Sequence, residues 1–345
     1  MVTRNDVARM ANVSPSVVSY VVNNSNYVSA EKREAVLAAI EKLGYVPNQN
    51  AKNLRMGRTK MMAVVRGSQF DDMFNDLLYY MEGFAYEKDY HTALVTVIRD
   101  NEGYSTTQYV ESLISRQYDA IFIANSSMTE SQLNYLAKSG TKVLLYVTRD
   151  YKNLDPSISQ IMPYYRKGVK ELVEKMIGLG HRRITLLPNL HYPNSFLSVS
   201  NHRFAGYLDA FREHSLPLQM ELIPLYFNEL SDIKDYLTSV FTKGPLSQAP
   251  TAIIANSVVA VNYVIKTLHG LGLRVPEDVS VAALTNSMLA SLSTPAITTV
   301  GFETERVAKL SVDLIVNMIE NNVSENRLID LELTERESLT VPRKD

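Results

Sequence analysis

Apolar residues recur along most of the chain in two alternating patterns. Short, mainly apolar runs lie at residues 61–65, 92–98, 120–124, 143–147, 184–187, 252–255 and 279–284. Segments with helical spacing of apolar positions lie between them, at 74–87, 168–179, 202–214 and 260–271. Strands that alternate with helices predict parallel sheets covered by helices on both faces. These units are too many for one sheet of ordinary size, so we expect two similar subdomains with a cleft between them.

The first 46 residues show another pattern, that of three short helices. The first two are separated by a tight turn, which is typical of a helix-turn-helix module. Side chains that favour helix ends mark the boundaries, because they satisfy backbone groups left unpaired there. These are Thr3 with Asp6 for the first helix, Ser14 with Pro15 for the second, and Ser29 and Gly44 for the third.

The helical spacing also separates a buried face from a polar one in this segment. The residues expected to point inward are Val17, Val18, Val21 and Val22 on the second helix, and Ala35, Val36, Ala39, Ile40 and Leu43 on the third. Ser16, Ser19, Tyr20 and Asn23 lie outside the valine face and are candidate readers of bases and phosphates in a major groove. A solvated face on any small helical bundle is the alternative.

Residues 47–60 follow as a short polar segment. Asn48 is placed to cap a helix of barely two turns, which is marginal alone in water. Such a helix can fold on DNA, with Leu54 as an apolar wedge in the minor groove and Lys52 and Arg55 on phosphates. An ordinary flexible linker explains the composition equally well.

Charge is distributed unevenly along the chain. Residues 1–60 hold nine basic and four acidic side chains, a net charge of +5, whereas the whole chain carries −2. A basic head on an acidic body indicates a polyanionic partner for the head only. The chain has no cysteine, which excludes disulfides and thiolate chemistry. Because neither a secretory pattern nor a membrane-length apolar run is found, we expect a cytoplasmic protein without a membrane partner.

The N-terminal motifs closely resemble the headpiece and hinge of the LacI/GalR family of transcriptional regulators. The resemblance rests on Val2-Thr3, Asp6-Val7-Ala8, Val13-Ser14, Val18-Ser19, Val21-Val22-Asn23, Val28-Ser29, Leu43-Gly44-Tyr45-Val46-Pro47-Asn48, Ala51 and Leu54. It implies that the second helix reads the operator and that the hinge enters the minor groove. The predicted DNA contacts are Thr3, Asn5, Ser14, Pro15, Ser16, Ser19, Tyr20, Asn23, Ser29, Asn48, Ala51, Lys52, Leu54 and Arg55.

Tyr20 is a departure from this family pattern. Members commonly carry arginine there, and a phenol cannot make the bidentate contact of a guanidinium group to guanine. The operator half-site is therefore expected to differ from that of typical members.

The resemblance extends more loosely over the remaining chain. Its marks are Gly180-His181-Arg182-Arg183-Ile184, Arg203, Gly206-Tyr207, Pro250-Thr251-Ala252-Ile253, residues 272–281 and residues 295–300. It implies a core with the type I periplasmic-binding-protein fold. The expected organisation is a helix-turn-helix domain at 1–46, a hinge helix and linker at 47–60, and an effector-binding and dimerisation core of two subdomains at 61–345.

The resemblance also places a ligand site in the cleft. Arg203 falls at the family's ligand-contacting arginine, but Pro163-Tyr164, Asn256-Ser257 and Leu284-Thr285-Asn286 replace three customary carboxylate positions. Loss of these carboxylates weakens a neutral-sugar site, and Arg66 and Arg149 nearby favour an anionic effector such as a phosphosugar. A pocket that has lost its ligand is the alternative. The predicted effector contacts are Phe70, Phe74, Ser126, Arg149, Tyr164, Arg203, Asn256 and Asn286.

The expected function is that of a repressor of carbohydrate-utilisation genes. Its partners would be a near-palindromic double-stranded operator, a small-molecule effector and a second copy of the chain, in a homodimer or a tetramer. The dimer is expected to form through residues 74–87 and surfaces around Leu268. No cofactor, metal site or catalytic constellation is predicted, so an enzyme is disfavoured. A sugar-binding protein without specific DNA activity is the remaining alternative.

Overall fold

The structure is a computed structural model and describes residues 2–46, 58–67, 72–97, 107–124, 128–188 and 197–344. The chain divides into two compact units, Met1–Thr59 and Lys60–Asp345. We call them the head and the core and describe each by itself.

The head contains the three expected helices. They are α1 (Arg4–Met10), α2 (Pro15–Asn23) and α3 (Ala30–Leu43). Thr3 and Asp6 form a reciprocal capping box, and the Ser14 hydroxyl caps α2 in front of its first-turn proline. Gly44 ends α3 with a φ of 61°, a left-handed conformation that costs glycine little.

A small apolar core holds these helices together. Its buried residues are Val7, Ala8, Val18, Val21, Val36, Ala39 and Tyr45. The prediction that Ala35 points inward is wrong, because Ala35 is exposed. The inward stripe of α3 passes through Val36, Ala39, Ile40 and Leu43, and a residue next to Val36 in sequence lies about 100° around the helix.

The core contains two sheets, which confirms the expected pair of α/β subdomains. Subdomain 1 has a six-stranded sheet in the order β10-β5-β4-β3-β1-β2, and all its strand pairs are parallel. Its strands are β1 (Met61–Arg66), β2 (His91–Thr96), β3 (Ala120–Ile123), β4 (Lys142–Tyr146), β5 (Ser159–Pro163) and β10 (Asn326–Ile329).

Subdomain 2 has a five-stranded sheet in the order β11-β9-β8-β7-β6, in which only β11 runs antiparallel to its neighbour. Its strands are β6 (Ile184–Leu186), β7 (Ala252–Ala255), β8 (Ser280–Ala283), β9 (Thr298–Gly301) and β11 (Glu332–Thr334). The central strands β7, β8 and β9 are buried along their whole length, as parallel strands covered on both faces must be.

Helices cover both sheets. They are α4 (Asp72–Glu87), α5 (Thr107–Ser115), α6 (Glu130–Lys138), α7 (Tyr165–Gly178), α8 (His202–Glu213), α9 (Leu230–Thr242), α10 (Val258–Gly270), α11 (Met288–Leu292) and α12 (Thr304–Asn321). The sequence pattern had located α4, α7, α8 and α10 to within a few residues. It had missed β5, β9, β10 and β11: β10 and β11 lie at sheet edges, β5 ends in a proline, and β9 contains two threonines and a glycine.

The chain crosses three times between the two subdomains. After Pro163 it leaves β5 for α7, which packs on subdomain 2. After Gly301 it returns from β9 to α12, which packs on α4, β3 and β4, and after Ile329 it crosses from β10 to β11. Two crossings are joined directly, since the Tyr164 amide donates to the Ile329 carbonyl at 2.8 Å. The crossings lie at the carboxyl ends of the strands, where a cleft site is expected.

Helices α7 and α8 pack against each other at a glycine. A Cβ atom on Gly206 would overlap the backbone carbonyl of Arg166 on the facing helix. Backbone atoms cannot rotate away as a side chain can, so this close approach requires glycine at position 206.

We therefore predict that Gly206→Ala destabilises the core by about 1–3 kcal/mol through overpacking. The matched control is Gly178→Ala on α7, where an added Cβ meets nothing within 4 Å. The control should be neutral or slightly stabilising, because alanine has the higher helix propensity. Differential scanning calorimetry of the full chain measures both, and equal melting temperatures for the two variants would contradict the packing argument.

Candidate DNA-reading face and ligand cleft

The exposed face of α2 carries the predicted DNA contacts of the head. Pro15 and Ser16 are exposed, Ser19 and Tyr20 are half-buried, and Asn5 of α1 is exposed. Helix α2 has no charged side chain in either terminal turn. It can therefore offer hydroxyl, amide and phenol groups to base edges, whereas attraction to phosphates must come from other basic residues of the head.

Several of these polar groups are already used within the head. The hydroxyls of Thr3 and Ser14 accept from backbone amides at the starts of α1 and α2, so they stabilise the helices. The Asn23 amide group donates to the Ser19 carbonyl at 2.8 Å and lies 3.2 Å from its hydroxyl. Because a carbonyl can only accept, the Asn23 amide oxygen is left as its free acceptor.

Ser29 precedes α3, is half-buried and makes no side-chain cap bond. The predicted hinge contacts Asn48, Ala51, Lys52, Leu54 and Arg55 lie outside the described residues, as do Phe70 and Ser126 of the predicted effector site.

Aromatic rings from both subdomains meet in the cleft. The Tyr146 ring lies 5.5 Å from Phe74 of α4 and 6.2 Å from Phe302, which follows β9. The Tyr146 hydroxyl pairs with the Tyr165 hydroxyl at 2.7 Å, and both side chains are buried. The strand ends of the two sheets therefore converge on Tyr146.

Arg203 lies beside this aromatic group. Its guanidinium carbon is 3.7 Å from the Tyr165 ring centroid, and the residue is 6% exposed. Asn201 caps α8 and fixes the start of the helix by accepting from the Arg203 amide at 3.0 Å. The Arg203 Nε is buried without a hydrogen-bond partner in the described part of the chain. A buried cation without an acceptor is costly, so this group is prepared for an anionic or polar ligand.

Arg149 approaches the same place from subdomain 1. Its backbone pairs with Asn201, next to the start of α8, and one terminal nitrogen donates to the Met128 carbonyl at 3.0 Å. Its Nε is also buried without a partner among the described residues. Arg66 donates to Asn75 of α4 at 3.0 Å, and its Nε is likewise buried without a partner among the described residues. Two of the three arginines expected near an anionic ligand therefore lie on the same side of the cleft.

Known proteins show the same two parts. Residues 3–48 match the model of bacterial regulatory proteins of the lacI family, and residues 173–339 match that of a periplasmic binding protein-like domain. The HTH-type transcriptional repressor PurR of Pasteurella multocida is 26% identical over 341 residues, which cover 98% of this chain and 99% of the relative. The regulator NtdR of the Bacillus subtilis NTD biosynthesis operon is 28% identical over 335 residues, or 95% and 96% of the two chains. The chain belongs to the LacI family.

A solved lac repressor dimer, bound to operator and the anti-inducer ONPF, has the same fold as this LacI-family chain. The TM-score is 0.79 at 23% identity, over 98% of this chain and 99% of that one. This likeness confirms the predicted order of a helical head followed by an α/β core. The two relatives are transcriptional regulators, which confirms a DNA-binding regulator rather than an enzyme.

The polar residues at which this LacI-family chain departs from the family pattern differ in exposure and in hydrogen-bond partners. Tyr164 is 42% exposed at the first crossing. Asn256 follows β7, and its side-chain oxygen is buried without a partner in the described residues. The Asn286 oxygen is already occupied, since it accepts from Arg336 at 3.0 Å and from Thr299 at 3.1 Å. Asn256 is therefore available to a ligand, whereas Asn286 stabilises the loop after β8.

Sequence reasoning missed several groups in the cleft of this LacI-family chain. Phe302, Asp72 and Ser287 were not expected there. Thr285 and Asp72 each keep a buried oxygen without a partner in the described residues. Thr285 stands at one of the altered ligand positions that the family resemblance indicates, although it was not among the predicted contacts. Among the described residues no group of three or more His, Cys, Asp or Glu could hold a metal ion, and no helix is long and apolar enough to span a membrane.

We predict that Asn286→Ala destabilises the core by about 1–3 kcal/mol, because the half-buried Arg336 guanidinium loses an acceptor. Partial burial also lowers the pKa of Arg336, since desolvation disfavours its charged form. Asn256→Ala is the matched control and should cost less than about 0.5 kcal/mol, since it removes an unpaired buried acceptor. Urea unfolding of both variants measures the difference, and equal losses would contradict these separate roles.

Proposed function

We propose that this LacI-family regulator represses transcription in the cytoplasm by binding a near-palindromic operator as a homodimer. The observation that carries the proposal is the exposed polar face of α2 on a head with its own apolar core. The net charge of +5 over residues 1–60 supplies the long-range attraction to DNA. A two-fold protein requires a two-fold site, and so the operator should contain two inverted half-sites.

An apolar surface of the core supports the dimer. Tyr79 and Tyr86 on α4 are 77% and 71% exposed, and Leu94 on the neighbouring edge strand β2 is 46% exposed. A groove of about 780 Å³ lies between α4 and β2. Exposed apolar surface of this kind is typical of an interface. We place the two-fold contact here and not around Leu268, which is fully buried in subdomain 2.

Selection from random duplex DNA by the full-length protein tests this function. At near-physiological salt we expect enrichment of a palindrome, since two identical heads bind. Ser16→Ala should change the preferred bases in both half-sites, because Ser16 is exposed at the start of α2, where base edges are read. Ser25→Ala, exposed beyond the end of α2, is the control and should leave the preference unchanged. Failure to enrich any palindrome would contradict the proposal.

We propose further that the cleft binds a phosphorylated sugar. Arg149 and Arg203 each have a buried Nε without a partner in the described residues, and a phosphate group would satisfy both. Asn256 and Thr285 have unpaired buried oxygens that suit the hydroxyl groups of a sugar. The carboxylates that usually read a neutral sugar are replaced at three positions. A phosphosugar therefore fits the available groups better than the corresponding neutral sugar.

Pairs of phosphorylated and neutral sugars test this ligand class. The melting temperature of the full chain is measured with glucose 6-phosphate or glucose, and with ribose 5-phosphate or ribose, each added separately. A phosphosugar that binds should raise the melting temperature of the protein, whereas the corresponding neutral sugar should not. At a ligand concentration one hundred times its Kd, binding adds about 2.7 kcal/mol to the free energy of unfolding. Arg203→Ala should abolish the shift, whereas Arg274→Ala, an exposed ion-pair residue, should preserve it. Neutral sugars that raise the melting temperature while phosphosugars do nothing would contradict the proposal.

A further inference from the structure

A buried hydrogen bond joins the two subdomains outside the aromatic group. Asp72 is the first residue of α4 in subdomain 1, and Ser287 precedes α11 in subdomain 2. The Ser287 hydroxyl donates to one carboxylate oxygen of Asp72, and both residues are 8% exposed. The other Asp72 oxygen is buried without a partner in the described residues. A charged acceptor in such surroundings makes this bond stronger than an exposed one.

Ser287 is oriented toward Asp72 and not toward its own helix. It occupies the N-cap position of α11, yet its side chain makes no cap bond to that helix. Serine at an N-cap ordinarily accepts from the helix backbone, whereas the Ser287 hydroxyl has its partner in the other subdomain.

The loop that carries Ser287 is held in place by other residues of subdomain 2. Asn286, the preceding residue, accepts hydrogen bonds from Arg336 and Thr299. Gly301 lies so close that an added Cβ would overlap the Asn286 backbone nitrogen. Ser287 is therefore attached to a rigid part of subdomain 2, and a rotation between the subdomains must break its bond to Asp72.

Both contacted helices also carry exposed apolar side chains. Tyr79 of α4 is 77% exposed, and Met288 and Leu292 of α11 are 72% and 68% exposed. The buried contact therefore lies between two helices that each present apolar surface, one from each subdomain.

We propose that Asp72 and Ser287 are positioning residues that hold α11 against α4, so that apolar side chains of both subdomains form one dimer surface. This inference rests on the proposed homodimer. When an effector rotates the subdomains, loss of the bond would weaken the dimer surface and so link the cleft to operator binding.

A double-mutant cycle in the full-length protein tests this inference without DNA or effector. Hydrogen–deuterium exchange of residues 288–292 should rise about tenfold in Asp72→Ala and in Ser287→Ala, because each loses the charge-assisted bond. The double variant should exchange no faster than either single variant, since the same bond is lost.

The control is Ser291→Ala on the same helix, where the hydroxyl donates only to the Met288 carbonyl. Its exchange should match that of the wild type. If Asp72→Ala does not fold, Asp72→Asn replaces it in the test. Its amide oxygen can still accept from Ser287 but carries no charge, so its exchange should lie between that of the wild type and that of Ser287→Ala. Additive effects of the two single variants would overturn the proposed contact.

Sedimentation separates this inference from the proposed dimer itself. Wild-type protein that sediments as a monomer would overturn the dimer and, with it, the role assigned to the contact. A dimeric wild type whose dissociation constant rises in Ser287→Ala, and not in Ser291→Ala, would support the inference. A dimeric wild type with unchanged constants in both variants would overturn the link between the contact and the dimer surface.

Discussion

The core depends on one topological constraint: the chain crosses three times between its two sheets. All three crossings lie at the carboxyl ends of the strands, after Pro163, Gly301 and Ile329. Because the three crossings are covalent, the two subdomains cannot separate. Because parallel strands direct their carboxyl ends to one edge, the residues that follow β4, β7, β8 and β9 are brought to the same cleft. The position of the cleft is therefore a consequence of the topology, whereas the side chains that line it determine which ligand it can bind.

Four of those side chains leave a buried polar atom unsatisfied. Arg149, Arg203, Asn256 and Thr285 each keep a buried nitrogen or oxygen without a partner among the described residues. Each such atom costs roughly 1–3 kcal/mol, and a folded chain retains such costs where a ligand removes them. Donors and acceptors occur together, which suits a molecule with both an anionic group and hydroxyls. The buried Tyr146–Tyr165 pair and Phe302 supply the apolar remainder of the wall.

Features that depend on residues close together in the sequence were predicted better than features that depend on distant residues. The helix caps at Thr3, Ser14 and Gly44 were predicted correctly, because each depends on residues within one helical turn. The two-sheet architecture also follows from local apolar runs. Strand β10 was missed because it lies at a sheet edge and is largely exposed, so it lacks the apolar run of a central strand.

Long-range contacts in the site could not be predicted in the same way. Asn286 was expected to contact the effector, but Arg336, fifty positions later, occupies its oxygen. The bond between Asp72 and Ser287 spans 215 positions, and no pattern in either segment indicates it. Family resemblance placed Arg203 in the cleft, yet only the structure shows that Tyr165 stacks on it and that its Nε lacks a partner.

We infer that operator binding by the head and the arrangement of the two core subdomains are thermodynamically linked, a relation that must hold in both directions. The chain has no native cysteine, so spin labels can be attached at Glu111→Cys on α5 and Lys234→Cys on α9, two exposed positions in different subdomains. Pulsed electron paramagnetic resonance then measures the distance between the labels in full-length protein, diluted with unlabelled chains. The account predicts that a selected operator duplex shifts or narrows the distance distribution, while a scrambled duplex does not. Identical distributions with saturating operator and without DNA would contradict it.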